Sequence, residues 1–133
     1  MLFRSEAVIT GIRAYNIHRW LSNVYPILMH YVQEGGVMIV QYNTSSQIGP
    51  LKSRFSPYPL TISRNRVTDE NAEVTFLKPE HPVMNFPNKI TQEDFKGWIQ
   101  ERSIYHAANF DRTKFETIFS MHDPGEKIGR AHV

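Results

Sequence analysis

The first apolar cluster is Ala7-Val8-Ile9-Thr10-Gly11, a short run rich in β-branched side chains that ends on glycine. Such a run reads as a buried strand. Asn16 then offers a side-chain oxygen to an orphan helix N–H, which makes it the expected N-cap. From there apolar residues recur at Ile17, Trp20, Leu21, Val24, Leu28, Tyr31 and Val32. That spacing predicts an amphipathic helix of about four turns. Pro26 removes one backbone donor and predicts a kink or a split. Gly35-Gly36 closes the helix, and Val37-Met38-Ile39-Val40-Gln41-Tyr42 follows directly as a second apolar strand.

Strand, helix, glycine pair and strand make a βαβ unit. Parallel strands with a crossover helix imply an α/β sheet covered on both faces. Beyond this the pattern weakens. Residues 43–57 carry Asn, Thr, Ser, Gly and Pro and read as a long loop. Leu60-Thr61-Ile62 and Glu73-Val74-Thr75-Phe76-Leu77 predict short extended pieces. Pro79, Pro82 and Pro87 keep residues 78–90 out of regular structure. Thr91 with Asp94 three positions on resembles a capping box and predicts a short helix whose inner face is Phe95, Trp98 and Ile99. Residues 115–120 read as a further strand, closed by the turn signal Asp123-Pro124-Gly125.

Composition narrows the class. With 41% hydrophobic and 12% aromatic residues among 133, the chain is a globular domain or most of one. The formal charge is +2, with basic residues scattered rather than grouped, so no nucleic-acid footprint is expected. The absence of cysteine excludes disulfides, thiolate zinc sites and a cysteine nucleophile. No apolar run approaches the roughly 18 residues needed to span a bilayer. The last six residues, Ile128-Gly129-Arg130-Ala131-His132-Val133, back-translate to ATC GGA AGA GCA CAC GTC, which reads as sequencing-adapter sequence. Residues 1–127 are therefore expected to be a partial α/β domain of a longer protein, and residues 128–133 an artefact.

Few residues carry a chemical signature. His122-Asp123-Pro124-Gly125-Glu126 sets a histidine beside two carboxylates, a possible metal arrangement. Asp-Pro-Gly is turn chemistry, however, and no second histidine lies at a helical spacing. Arg64, Arg66 and Arg102 can clamp a carboxylate or phosphate, or simply pair with Asp69, Glu70 or Glu101. His81 sits in a proline-bounded loop of the kind that often carries function. Trp98, Gln100, Glu101 and Arg102 place an aromatic surface beside polar groups, as a sugar site would. Ligands of open α/β sheets collect at the carboxyl ends of the strands. Those ends carry Arg13, Tyr15 and Asn16 after the first strand and Asn43 to Ser46 after the second. The candidate ligand-binding residues are thus Arg13, Asn16, Asn43, Thr44, Ser45, His81, Trp98, Glu101 and Arg102. No catalytic or metal-ligating residue is assigned.

Six blocks together resemble one known arrangement: residues 7–16 (AVITGIRAYN), 31–43 (YVQEGGVMIVQYN), 63–70 (SRNRVTDE), 81–91 (HPVMNFPNKIT), 95–105 (FKGWIQERSIY) and 120–126 (SMHDPGE). They are similar to the C-terminal region of large bacterial PIG-L/LmbE-family deacetylases of the Bacteroidetes type. There a zinc-dependent N-acetylglucosaminyl-deacetylase-like module precedes a class I glutamine amidotransferase-like one. The resemblance implies a flavodoxin-like parallel sheet flanked by helices and truncated at its C-terminus. It also implies a periplasmic or secreted parent whose upstream module in the same chain holds the zinc.

The catalytic motifs of those families do not carry over. His81-Pro82 is followed by Val83-Met84 rather than two aspartates, and the position after the second strand holds Tyr42, Asn43 and Thr44 where the amidotransferases place cysteine. The resemblance therefore implies a noncatalytic accessory domain that binds a carbohydrate or packs on its neighbour, with no cofactor of its own. The alternatives are a stand-alone, trehalose-utilisation-like sugar-active protein using His81 and Glu101, and a purely structural interaction domain.

Overall fold

The computed structural model describes residues 6–45, 51, 54–98 and 103–125. Ser46, Gln100, Glu101 and Arg102, the inner-face position Ile99 and the terminal hexapeptide lie outside them.

The βαβ unit is present. Strand β1 (Ala7–Thr10) pairs in parallel with β2 (Val37–Val40), Ala7 opposite Val37 and Thr10 opposite Val40. The crossover differs from the expected single helix. A one-turn helix α1 (Ala14–Ile17) comes first, and α2 (Leu21–Gln33) starts only after Trp20. Asn16 is inside α1 rather than at an N-cap. Its carboxamide bonds to the backbone of Thr44 across the strand ends, a tertiary contact that outweighs the local capping preference. His18 is extended (φ −101°, ψ 90°) and separates the two helices. Helix α2 continues through Pro26 without splitting. One lost N–H bond costs less than the burial of Leu21 and Leu28 on either side of it.

The glycine pair ends α2 as expected. Gly36 N–H donates to the Tyr31 carbonyl (2.9 Å) and Gly35 N–H to that of Val32 (3.0 Å), the bond pair of a Schellman motif. Gly35 takes φ 93°, which an L side chain resists. A Cβ at Gly36 would meet the Tyr31 ring, which would have to swing aside, so the stricter demand for glycine is at Gly35.

The rest of the described chain departs from the expected continuous parallel sheet. It forms three two-stranded antiparallel ladders: β3 (Thr61–Ile62) with β7 (Ala107–Ala108), β4 (Arg66–Val67) with β6 (Ser103–Ile104), and β5 (Thr75–Phe76) with β8 (Phe119–Ser120). Each is only two residues long, and the left-handed residues Tyr105 (φ 58°) and Asn109 (φ 52°) flank β7. The expected strand over residues 115–120 shrinks to its last two positions. Residues 78–90, expected to be irregular, contain one helical turn, α3 (Pro82–Asn85), because proline is favoured in the first turn of a helix. The expected helix after Thr91 is a single 3-10 turn over Gln92–Phe95. The Asp94 carboxylate accepts from the Thr91 N–H at 2.7 Å, so the capping residues are used as expected.

The main core belongs to this second half. Val67, Ala72, Val74, Phe95 and Met121 are buried together, with Phe76, Ile90 and Phe119 packed around them. Phe76, Phe95 and Phe119 form a triangle of tilted or edge-on rings, with centroids 5.5–6.0 Å apart, the separation that aromatic pairs prefer. Tyr42 stacks on Tyr105 at 6.4 Å and links the end of β2 to the β6–β7 turn. The chain is thus a mixed helix and strand protein: one parallel βαβ unit and a set of short antiparallel ladders. Among the described residues no helix is long and apolar enough to cross a membrane.

Candidate functional site

The two strand-end loops meet, as the sequence suggests, but their polar groups are mostly spent on one another. Arg13 takes the left-handed conformation (φ 58°), held by its N–H donating to the Tyr42 carbonyl at 2.8 Å. The Tyr15 N–H donates to Asn43 Oδ1 (3.0 Å), and Asn43 Nδ2 donates to the Gln41 carbonyl (3.0 Å). Asn43 is only 2% exposed. Asn16 and Thr44 form a reciprocal pair, Nδ2 to the Thr44 carbonyl and Thr44 N–H to Oδ1, both at 2.9 Å. The asparagines therefore act as a clasp, each carboxamide standing in for a missing backbone partner. Arg13 is exposed and Asn16, Thr44 and Ser45 are half-buried, whereas Asn43 is withdrawn from solvent. Tyr15 is buried beneath the clasp against Phe55, at 5.5 Å between centroids. Burial, assisted by Tyr25, raises its phenol above the ordinary value, so it stays neutral.

His81 has a structural task. Its Nδ1 accepts the Val83 N–H at 3.2 Å and caps α3. That bond places the ring proton of the neutral form on Nε2, which points to Glu116 Oε2 at 3.6 Å. Lys78 Nζ shares the same carboxylate at 2.8 Å and holds Glu116 below the ordinary carboxylate value. This is an exposed surface network.

The His122-Asp123-Pro124-Gly125 segment behaves as a turn with a carboxylate pin. Asp123 accepts from the Asp69 N–H (2.8 Å), the Thr68 N–H (2.9 Å) and Thr68 Oγ (3.0 Å). It ties the last strand to the β4 side of the core. The Asp69 N–H is the largest cause of its lowered pKa, with Thr68 and then His122 adding to it. A lowered folded pKa contributes stability above the unfolded carboxylate value, and that stability is lost as pH falls through the folded one. Asp123→Asn is expected to cost about 1–2 kcal/mol at neutral pH, after allowance for solvent exposure. The difference from wild type should vanish in acid, and thermal melts between neutral pH and pH 3 measure both.

Trp98 is 47% exposed and leans on Phe95 at 5.3 Å between centroids. One face supports the core and the rest remains accessible, so it is the only sequence-nominated aromatic with surface to offer among the described residues. Arg64 and Arg66 lie exposed beside and within β4. The fold places the strand-end clasp, the His81 network and Trp98 on separate elements, with no contact between them described.

One pair had no signal in the sequence. Ser103 Oγ lies 2.6 Å from His106 Nε2, and His106 is only 3% exposed. Ser-Ile-Tyr-His is an unremarked spacing until the Tyr105 backbone, at φ 58°, folds the serine back over the histidine. A serine hydrogen-bonded to imidazole is the first half of a proton-transfer pair. Among the described residues no cluster of three His, Cys, Asp or Glu is arranged to hold a metal ion.

An apolar groove of about 470 Å³ lies between β1 and α2, lined among others by Thr10, Ile12, His18, Trp20, Val24 and Ile27. No known protein family, curated protein or solved structure matches this chain.

Proposed function

We propose that this chain is a noncatalytic accessory domain that acts by contact within a larger protein. In this reading the parent is a carbohydrate deacetylase of the PIG-L/LmbE type, periplasmic or secreted, and the domain is a partial amidotransferase-like, flavodoxin-like α/β unit. The upstream module of the same chain carries the zinc and performs the amide hydrolysis. The six sequence blocks support the parentage. The observation that carries the contact role is the pattern of exposure. Ile9 (63%), Val37 (54%) and Ile39 (48%) form a continuous apolar strip on the face of the parallel pair turned away from α2. Parallel strands are normally covered on both faces, so this strip is the natural seat for a neighbouring module. The carboxamides of Asn16 and Asn43 at the strand ends, by contrast, are committed to the clasp.

Trp98 favours a second role for the same domain, glycan binding. An exposed indole braced from behind by Phe95 is a rigid stacking surface for the apolar face of a sugar ring.

Recovery of the whole reading frame tests the parentage. An in-frame deacetylase module with a His-Pro-Asp-Asp motif upstream supports it, and a frame without one rejects it. Titration with N-acetylglucosamine oligosaccharides tests the glycan role. Trp98→Ala is expected to weaken binding at least tenfold with the melting temperature shifted by only a few degrees. Equal affinity in wild type and variant, or no binding by either, removes glycan binding from the reading.

A further inference from the structure

We propose that a second copy of this chain docks on the outer edge of β1, extending the parallel pair into a four-stranded sheet around a twofold axis at Ile9. The backbone decides the chemistry of the occupant. The Thr10 carbonyl accepts from the Gln41 N–H at 3.1 Å. Because alternate residues of a parallel strand turn their backbone groups to the same side, Val8 and Thr10 face β2 while Ala7, Ile9 and Gly11 face outward. Among the described residues no strand pairs with that outer side. Only another extended polypeptide satisfies such a row of donors and acceptors; a glycan or a small apolar ligand does not.

The two edges of the sheet are not equivalent. Beside β2, Phe55, Ser56 and Pro57 flank Met38 and Val40 on the helix side. The β1 side has the open groove instead, with Ile12 (56% exposed), Trp20 (57%) and Ile27 (46%) along it. The β1 edge also lacks the devices that protect natural edges: it has no lysine, no proline and no inward charge over residues 7–11.

Self-pairing fits this edge in register. An antiparallel twofold at Ile9 sets Ile9 opposite itself and Ala7 opposite Gly11, all outward-facing positions. Gly11 offers its N–H, its carbonyl being held by the Ala14 N–H at 3.0 Å. About four backbone hydrogen bonds result, two between the Ile9 residues and two from Gly11 to Ala7. A twofold normal to the sheet keeps both α2 helices on one face. The Trp20, Val24 and Ile27 side of each then covers the groove of the other. The contact closes on itself, so it gives a dimer rather than a filament.

Sedimentation of the purified chain is expected to give a concentration-dependent species of twice the 15.5 kDa chain mass. Ile9→Pro removes an N–H that the β1–β2 ladder does not use, and Ile9→Lys sets like charges opposite each other across the axis. Both should yield monomers with the circular dichroism of the wild type. Amide exchange in the wild type decides the matter even if a variant misfolds. The Ile9 N–H is expected to be protected at high concentration and to lose at least tenfold protection on dilution, while Thr10 stays protected at both. A monomer at every concentration, or a dimer in which the Ile9 amide exchanges freely, overturns the proposal. The measurement uses this chain alone and stands or falls independently of the deacetylase parentage.

Discussion

Phe95→Ala is expected to destabilise the chain by about 3–5 kcal/mol, the usual cost of emptying a buried aromatic site. Phe95 is 8% exposed and touches three rings at once: Phe76 at 6.0 Å, Phe119 at 5.6 Å and Trp98 at 5.3 Å. Its removal opens a cavity beside Val67 and Val74, which are essentially unexposed and cannot collapse into it without moving two ladders. Against a typical domain margin of about 5–15 kcal/mol, the loss takes a large share. Chemical denaturation gives the number directly. A loss below about 1 kcal/mol would mean that the ladders, and not the aromatic triangle, hold this half together. Trp98→Ala is the companion measurement: it removes only the outer ring, so its smaller loss separates core from surface.

Asn43→Ala is the second large effect. It takes away an acceptor from the buried Tyr15 N–H and a donor from the Gln41 carbonyl in one step. Leaving such groups unsatisfied costs about 2–3 kcal/mol together. The loss is expected to be local at first. Amides of α1 should exchange faster, while those of the Phe95 core keep their protection, because the clasp closes only the strand-end loops of the parallel unit. Uniform loss of protection throughout the chain would show instead that the two halves unfold as one. The same geometry settles how Asn43 variants are read in any ligand assay. A weakened response follows from a loosened loop, so Trp98, not Asn43, is the informative probe of glycan binding.

These two residues illustrate how legible the chain is. Phe95 was readable because it follows a capping pair and sits in an apolar patch, although the helix expected there is one 3-10 turn. Asn43 was readable as a polar residue at a strand end, but its role was not. Whether a carboxamide faces a ligand or a neighbouring backbone depends on a loop 28 residues away in sequence. His81 shows the same limit. Its loop and its prolines suggested a functional histidine, and the fold uses the ring to cap one helical turn. His106 carried no pattern, since its serine partner is set by a left-handed residue between them.

The sequence by itself determined the βαβ unit, its Schellman end and the turn at Asp123. Each rests on local terms: apolar periodicity, the conformational freedom of glycine, and the turn preference of the Asp-Pro-Gly sequence. Only the tertiary structure decided the rest. The break between α1 and α2, the three antiparallel ladders and the commitment of Asn16, Asn43 and Asp123 to backbone partners all depend on pairings between distant segments. For such short strands, local preference is worth less than a single satisfied buried hydrogen bond. The partner, and not the propensity, then selects the conformation.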